Sequence, residues 1–137
     1  MSIDSLNYCW PADFPEDVPK SSDVIPAEGR VYRLVRTVPP TGIDFQRHRD
    51  EKPDYVYYTK DIPMSYGVSF WSKLSRIRNV EKNYPAPEQF GRWQTVCGNL
   101  CPELGVIPVV IQNNGHVTLW VQEGAEPHKH IKDEVEE

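Results

Sequence analysis

The amino-acid sequence predicts an α+β domain, with a mainly antiparallel sheet and two or so helices. Three observations predict it. Arg30 to Val38 is rich in β-branched and aromatic residues and alternates Val31, Arg33 and Val35 on one face with Tyr32, Leu34 and Arg36 on the other, as a strand does. Leu74, Ile77, Val80 and Tyr84 instead recur at helical spacing. Asn113-Asn114-Gly115 separates two candidate strands, and those residues tolerate the positive φ that a tight hairpin turn needs. The resulting order, β-α-β-α-β-β-β, is that of an α+β domain and not of a doubly wound parallel sheet.

Residues 1–29 precede the first regular element and carry six acids against one base, a net charge of −5. Pro11, Pro15, Pro19 and Pro26 remove backbone donors and restrict the residues before them, so no long helix runs here. Tyr8, Trp10 and Phe14 are buriable anchors within this stretch. The expectation is a Pro-rich acidic arm, draped on the domain or, if displayed, binding a partner through those three rings. The domain proper is expected over 30–122, with net charge +4, followed by an acidic tail over 123–137 with net charge −4.

Within the domain, Arg30 to Val38 reads as a strand stopped by Pro39-Pro40. Thr41 is the expected N-cap of a short helix, Ile43 to Arg49, with Asp44 in its first turn. Residues 50–66 read as a long loop crowded by Tyr55, Tyr57, Tyr58 and Tyr66, and a long loop in a compact domain is often functional. Gly67 to Trp71 is a second strand. Ser72 is the expected cap of a helix running to Tyr84, ended by Pro85 and Pro87. Gln94 to Leu100, Val106 to Gln112 and His116 to Gln122 complete the strands. The final residues, from Asp133, read as frayed.

The 137 residues suffice for one domain, and their hydrophobic share of 39% provides a core. The longest apolar stretches are a few residues, such as Val109-Val110-Ile111, so no membrane-spanning helix is expected. Met1-Ser2-Ile3-Asp4 lacks the basic and apolar run of a leader. Three cysteines, an odd number, fit a reducing cytoplasm better than a disulfide scaffold. A zinc site on Cys97 and Cys101 would need Cys9 and the His128-x-His130 pair to converge from both termini, so no metal is expected. Lys73, Arg76, Arg78 and Lys82 lie along the second helix, but the modest positive charge of the body favours a solvated face, and no nucleic-acid partner is expected.

Two residue sets carry candidate chemistry. Alternation puts His116, Thr118 and Trp120 on one face of the last strand, where an imidazole, a hydroxyl and an indole can stack on a planar ring and hydrogen-bond it. Arg33, between Val31 and Val35, sits on an otherwise apolar face, and a buried guanidinium calls for a planar anionic partner, a carboxylate or a ligand phosphate. Ser69 offers a hydroxyl on a neighbouring strand. The cleft is therefore expected where Arg33, Ser69, His116 and Thr118 converge, with Tyr57 or Tyr58 as its lid. No Gly-rich phosphate loop is present.

The runs Val31-Tyr32-Arg33-Leu34-Val35-Arg36-Thr37-Val38-Pro39-Pro40-Thr41, Asp44-Phe45, Gly67-Val68-Ser69-Phe70 and Gly115-His116-Val117-Thr118-Leu119-Trp120 resemble a family of small uncharacterised bacterial proteins, over about residues 30–121. More distantly, the order of elements resembles compact ADP-ribosyltransferase-like domains, including RES-type NAD-degrading toxins. That resemblance implies NAD as a ligand, with Tyr32 and Arg33 matching the aromatic-Arg pair of the first strand and Ser69 the serine beside it. In that case Arg33 would hold a phosphate or ribose, Ser69 and His116 would position the nicotinamide ribose, and Thr118 would complete the cofactor-binding set. The catalytic candidates are then Ser69, His116 and Glu103, although neither Glu103 nor Glu123 matches the late-strand glutamate of those folds. The function expected is NAD or nucleotide binding, in a bacterial conflict or toxin system. The alternative is a non-catalytic immunity, antitoxin or accessory module that recognises a protein.

Overall fold

The computed structural model describes residues 8–15, 18–19, 23–35, 38–51, 54–77, 94–110 and 115–134. Seven strands form its frame: β1 (Val24–Pro26), β2 (Gly29–Val35), β3 (Val68–Trp71), β4 (Gln94–Leu100), β5 (Gly105–Pro108), β6 (His116–Val121) and β7 (Ile131–Glu134). They build one curled sheet in the order β1-β5-β6-β3-β2-β4-β7, with every neighbouring pair antiparallel. Among the described residues helix is limited to short pieces, α1 (His48–Glu51), α2 (Ile62–Ser65), a turn at 74–77 and several single 3-10 turns. The expected α+β class with a mainly antiparallel sheet is therefore the observed one.

The two sheet faces are unlike. One face holds the main core, with Val31 and Val35 of β2, Val68 and Phe70 of β3, and Val117 and Leu119 of β6 all nearly inaccessible to solvent. Phe45 closes it from the turn Gly42–Phe45. The other face carries a smaller cluster of Val24, Val106 and Trp120, covered by Val18 of the arm and Met64 of α2. Burying several large apolar side chains at roughly 1.5–3 kcal/mol each makes the first face the main source of stability.

Sheet pairing is uneven, and this shapes the site. β2 and β4 pair along seven positions, from Gly29↔Leu100 to Val35↔Gln94. β2 and β3 meet only at Tyr32↔Trp71 and then splay. At the β4–β7 contact the register shifts between Cys97 and Gly98, and a Cβ on Gly98 would collide with the His130 carbonyl oxygen. Glycine is required there by close approach of backbone to backbone.

Several expected boundaries move. The helix expected over Ile43 to Arg49 is split into the single turn Gly42–Phe45 and α1, although the backbone N–H of Thr41 does donate to Asp44 Oδ2 at 3.0 Å. Residues 50–66 are not all loop, because the turn Thr59–Asp61 leads into α2. Pro63 sits in the first turn of α2, where its missing N–H has no helical partner to lose. Ser72 does not cap a helix through its side chain; its hydroxyl donates to the Gly115 carbonyl at 3.0 Å. A helical turn begins at 74–77, and the remainder of the helix expected to Tyr84, with Arg78 and Lys82, lies outside the described residues. So does most of the Asn113-Asn114-Gly115 turn, of which Gly115 is described with φ 86°.

The sheet also reaches beyond 30–122 at both ends. β1 lies within the arm and pairs with β5, and Pro26 is tolerated because β1 is an edge strand. β7 lies within the acidic tail and forms the opposite edge, with Ile131 fully buried and Lys132, Asp133 and Glu134 facing solvent. A charged edge resists pairing with other chains.

Candidate functional site

A cleft of ≈ 350 Å³ opens on the second face of the sheet. Its floor is β6, through His116, Thr118 and Trp120, the three side chains that strand alternation places together. Val24 of β1 and Pro108 of β5 extend the floor, Pro19 and Asp23 of the arm form one wall, and Lys60, Pro63 and Met64 form the other. Trp120 is pinned by its indole, which donates from Nε1 to the Pro63 carbonyl at 2.9 Å. That bond ties α2 to the sheet.

Register fixes which candidates meet. Trp71 stands opposite both Tyr32 on β2 and His116 on β6, and Ser69 stands opposite Thr118. Ser69, Trp71, His116 and Thr118 therefore share one face. Ser69 Oγ lies 2.6 Å from His116 Nε2, and the His116 ring meets Trp71 edge-on, with centroids 5.1 Å apart. Burial pushes the His116 imidazole below its ordinary value of 6.5, so the ring is neutral near pH 7.

Arg33 does not join this group. As the neighbour of Tyr32 along β2 it projects to the opposite, core face, between the rings of Phe45 and Phe70 at 5.4 and 5.7 Å. Its Nε donates to the Asp44 carbonyl at 2.7 Å, its Nη2 to the Gln46 carbonyl at 3.2 Å, and its Nη1 to the Ser69 carbonyl. The Ser69 carbonyl is reachable because β2 and β3 splay beyond their single paired position. Three backbone oxygens thus accept from the guanidinium on the core face, away from the cleft.

The other candidates disperse. Tyr32 is half-buried, and its phenol oxygen accepts from Arg30 Nε at 3.4 Å. Glu103 is exposed in the turn Pro102–Leu104, and its carbonyl accepts from Gln122 just beyond β6. At about 3.3 Å per residue, that end of β6 lies roughly 20 Å from His116. Tyr57 packs against Tyr55 with centroids 4.7 Å apart, Tyr58 is exposed, and neither lines the cleft. The wall that was expected from those tyrosines comes instead from Lys60 to Met64. Asp23, Lys60 and Met64 carry no chemical pattern in the sequence; only the long 50–66 segment hints that something covers the sheet.

Tyr8, Trp10 and Phe14 are engaged within the chain. Tyr8 stacks on Trp10 at 5.4 Å, Trp10 on Phe14 at 5.6 Å, and Phe14 meets Tyr66 edge-on at 5.5 Å. The arm is further tied by the Tyr8 hydroxyl donating to the Pro102 carbonyl and by an Asp13–Arg47 ion pair at 2.7 Å. A second cleft of ≈ 470 Å³ beside this arm contains Arg47, which Asp50 as well as Asp13 engages. Cys97 is buried and accepts from Arg30 Nη2 at 3.0 Å, whereas Cys101 Sγ lies 3.8 Å from His130 Nδ1. Among the described residues no three His, Cys, Asp or Glu side chains stand close enough to hold a metal ion. Among them, too, no helix is long and apolar enough to cross a membrane.

Comparison of the chain with protein-family models, with curated proteins and with solved structures returns no match.

Proposed function

We propose that the protein binds a small molecule of the nucleotide class, NAD included, with a planar ring held in the cleft on the His116–Thr118–Trp120 face. The observation that carries this reading is the composition of that cleft: an imidazole, a hydroxyl and an indole on its floor, and largely apolar walls that carry one carboxylate, Asp23, and one exposed ammonium, Lys60. A space of ≈ 350 Å³ is at the small end of ligand sites, so it takes one ring system and leaves the rest of a dinucleotide outside. The phosphate contact then falls to Lys60, because Arg33 is held by backbone carbonyls on the opposite face. This retains the ligand class implied by the resemblance to ADP-ribosyltransferase-like domains while changing the residues that meet it.

Isothermal titration with NAD, ADP and AMP tests the reading. Binding of at least one of them, weakened at least tenfold by Lys60→Ala or His116→Ala in folded protein, is the expected result. No heat from any of the three would refute it. Nicotinamide release in the same NAD sample tests the enzyme expectation separately. Cleavage there passes through a cationic sugar that needs a nearby acid, and Asp23 is the carboxylate among the described lining residues.

A second reading, a non-catalytic immunity, antitoxin or accessory module, draws on a different observation. Val56, Tyr58 and Val110 are 89%, 77% and 76% exposed, and Val110 reaches the cleft edge. Exposed apolar groups of this size suit a protein partner better than solvent. Recovery of one specific partner from the native host, lost on Val56→Asp with Tyr58→Asp, would favour this reading over the first.

A further inference from the structure

Ligand binding makes no use of the close approach between Ser69 and His116. We propose that Ser69 is a nucleophile with His116 as its general base, and that the pair transfers the acyl group of a carboxylic ester to water. The inference goes beyond ring binding and does not depend on which ring the cleft prefers.

Four features support it. Ser69 Oγ and His116 Nε2 are 2.6 Å apart, within the reach of direct proton transfer, and in the Nδ1–H tautomer the hydroxyl donates to Nε2. Ser69 is exposed, so an ester carbonyl can approach it, while His116 is half-buried and its ring is braced edge-on by Trp71. Burial keeps the imidazole neutral and able to accept a proton near pH 7, with Asp23 and Lys60 as the charged groups lining the same cleft. The backbone of Ser69 is fixed from the far side of the sheet by Arg33, which ties its carbonyl to the segment bearing Asp44 and Gln46. Arg33 is thus a positioning residue for Ser69.

In the first step the Ser69 Oγ–C bond forms as the hydroxyl proton passes to His116 Nε2. The bond from the carbonyl carbon to the alkoxy oxygen then breaks, and the departing alkoxide takes that proton as an alcohol. Water repeats the sequence: it loses a proton to Nε2, attacks the acyl carbon and releases the carboxylic acid, and Ser69 regains its proton. No redox partner or metal is required. The apolar side of the adjacent cleft, with Val24, Met64 and Val110, accommodates the ring or chain of the ester.

The test is reaction of the full chain with a fluorophosphonate probe, followed by peptide mass mapping, and with p-nitrophenyl acetate. The expected result is one phosphonyl group per chain on Ser69, formed with loss of fluoride, together with p-nitrophenol release that Ser69→Ala abolishes. His116→Gln should slow both reactions about 100-fold or more, the usual contribution of a general base. Thermal melting of each variant checks that it is folded. The labelling site is read on the unaltered protein, so it stands even if His116→Gln fails to fold. Labelling spread over many hydroxyls with no preference for Ser69, or a folded His116→Gln that reacts as fast as the parent, would overturn the proposal.

Discussion

Arg33 lies on an apolar sheet face and still has its charge met, because the carbonyls of Asp44, Gln46 and Ser69 converge on it from two segments of chain. Hydrogen bonds from a charged donor are stronger than neutral ones, and the flanking Phe45 and Phe70 rings add a cation–π contribution. Arg33→Ala would leave those carbonyls without this donor and open a gap where β2 and β3 splay. The expected cost is about 2–4 kcal/mol, seen as a lower urea midpoint with an unchanged slope. Ligand binding in the folded fraction should persist, since the cleft is on the other face. Lost binding with full stability would instead show that the guanidinium contacts ligand. The need for a partner at Arg33 was legible from its apolar flanks, Val31 and Val35. The three carbonyls that accept from it were not, because backbone oxygens carry no side-chain signature. The union of Ser69 with His116 was foreseeable only in part: alternation gave each strand's face, but the β3–β6 register that sets them diagonal to one another is a tertiary fact.

At the scale of elements, strands were more legible than helices. Gln94 to Leu100 reads from its residues with the bounds it has in the sheet. α2 did not, because Pro63 reads as a breaker unless its place in the first helical turn is known. β7 has a single buried anchor, Ile131, among charges, and so offers no periodicity to detect. The arm shows the same limit: its prolines carry no sign of a strand, and its pairing with β5 depends on an edge that only the folded sheet presents. Its aromatic ladder makes docking testable. Phe14 links Trp10 to Tyr66, so Phe14→Ala should break the ladder at its centre and cost about 1–2 kcal/mol. Limited proteolysis should then cut within residues 1–23 faster than in the parent chain. Unchanged cutting would mean that the arm is held without its rings.

At the scale of the whole molecule, the charge division of the sequence has a structural counterpart. The acidic arm meets the basic body at Asp13 and Arg47, and the hydrogen bond from Arg47 holds the Asp13 carboxyl below its ordinary 3.8. The arm and α2 together turn the second sheet face from an open surface into a walled cleft, so the arm, which lies outside the expected domain core, helps to make the site. That cleft is the central claim, and Trp120 reports on it directly because its indole N–H bonds the wall at Pro63. The most direct measurement is a proton–nitrogen NMR titration of the full chain with NAD and with AMP, following the Trp120 indole and the amides of His116, Thr118 and Lys60. Saturable shifts concentrated on those signals are the predicted result. Shifts confined to the Arg47 cleft, or no shifts from either ligand, would contradict it.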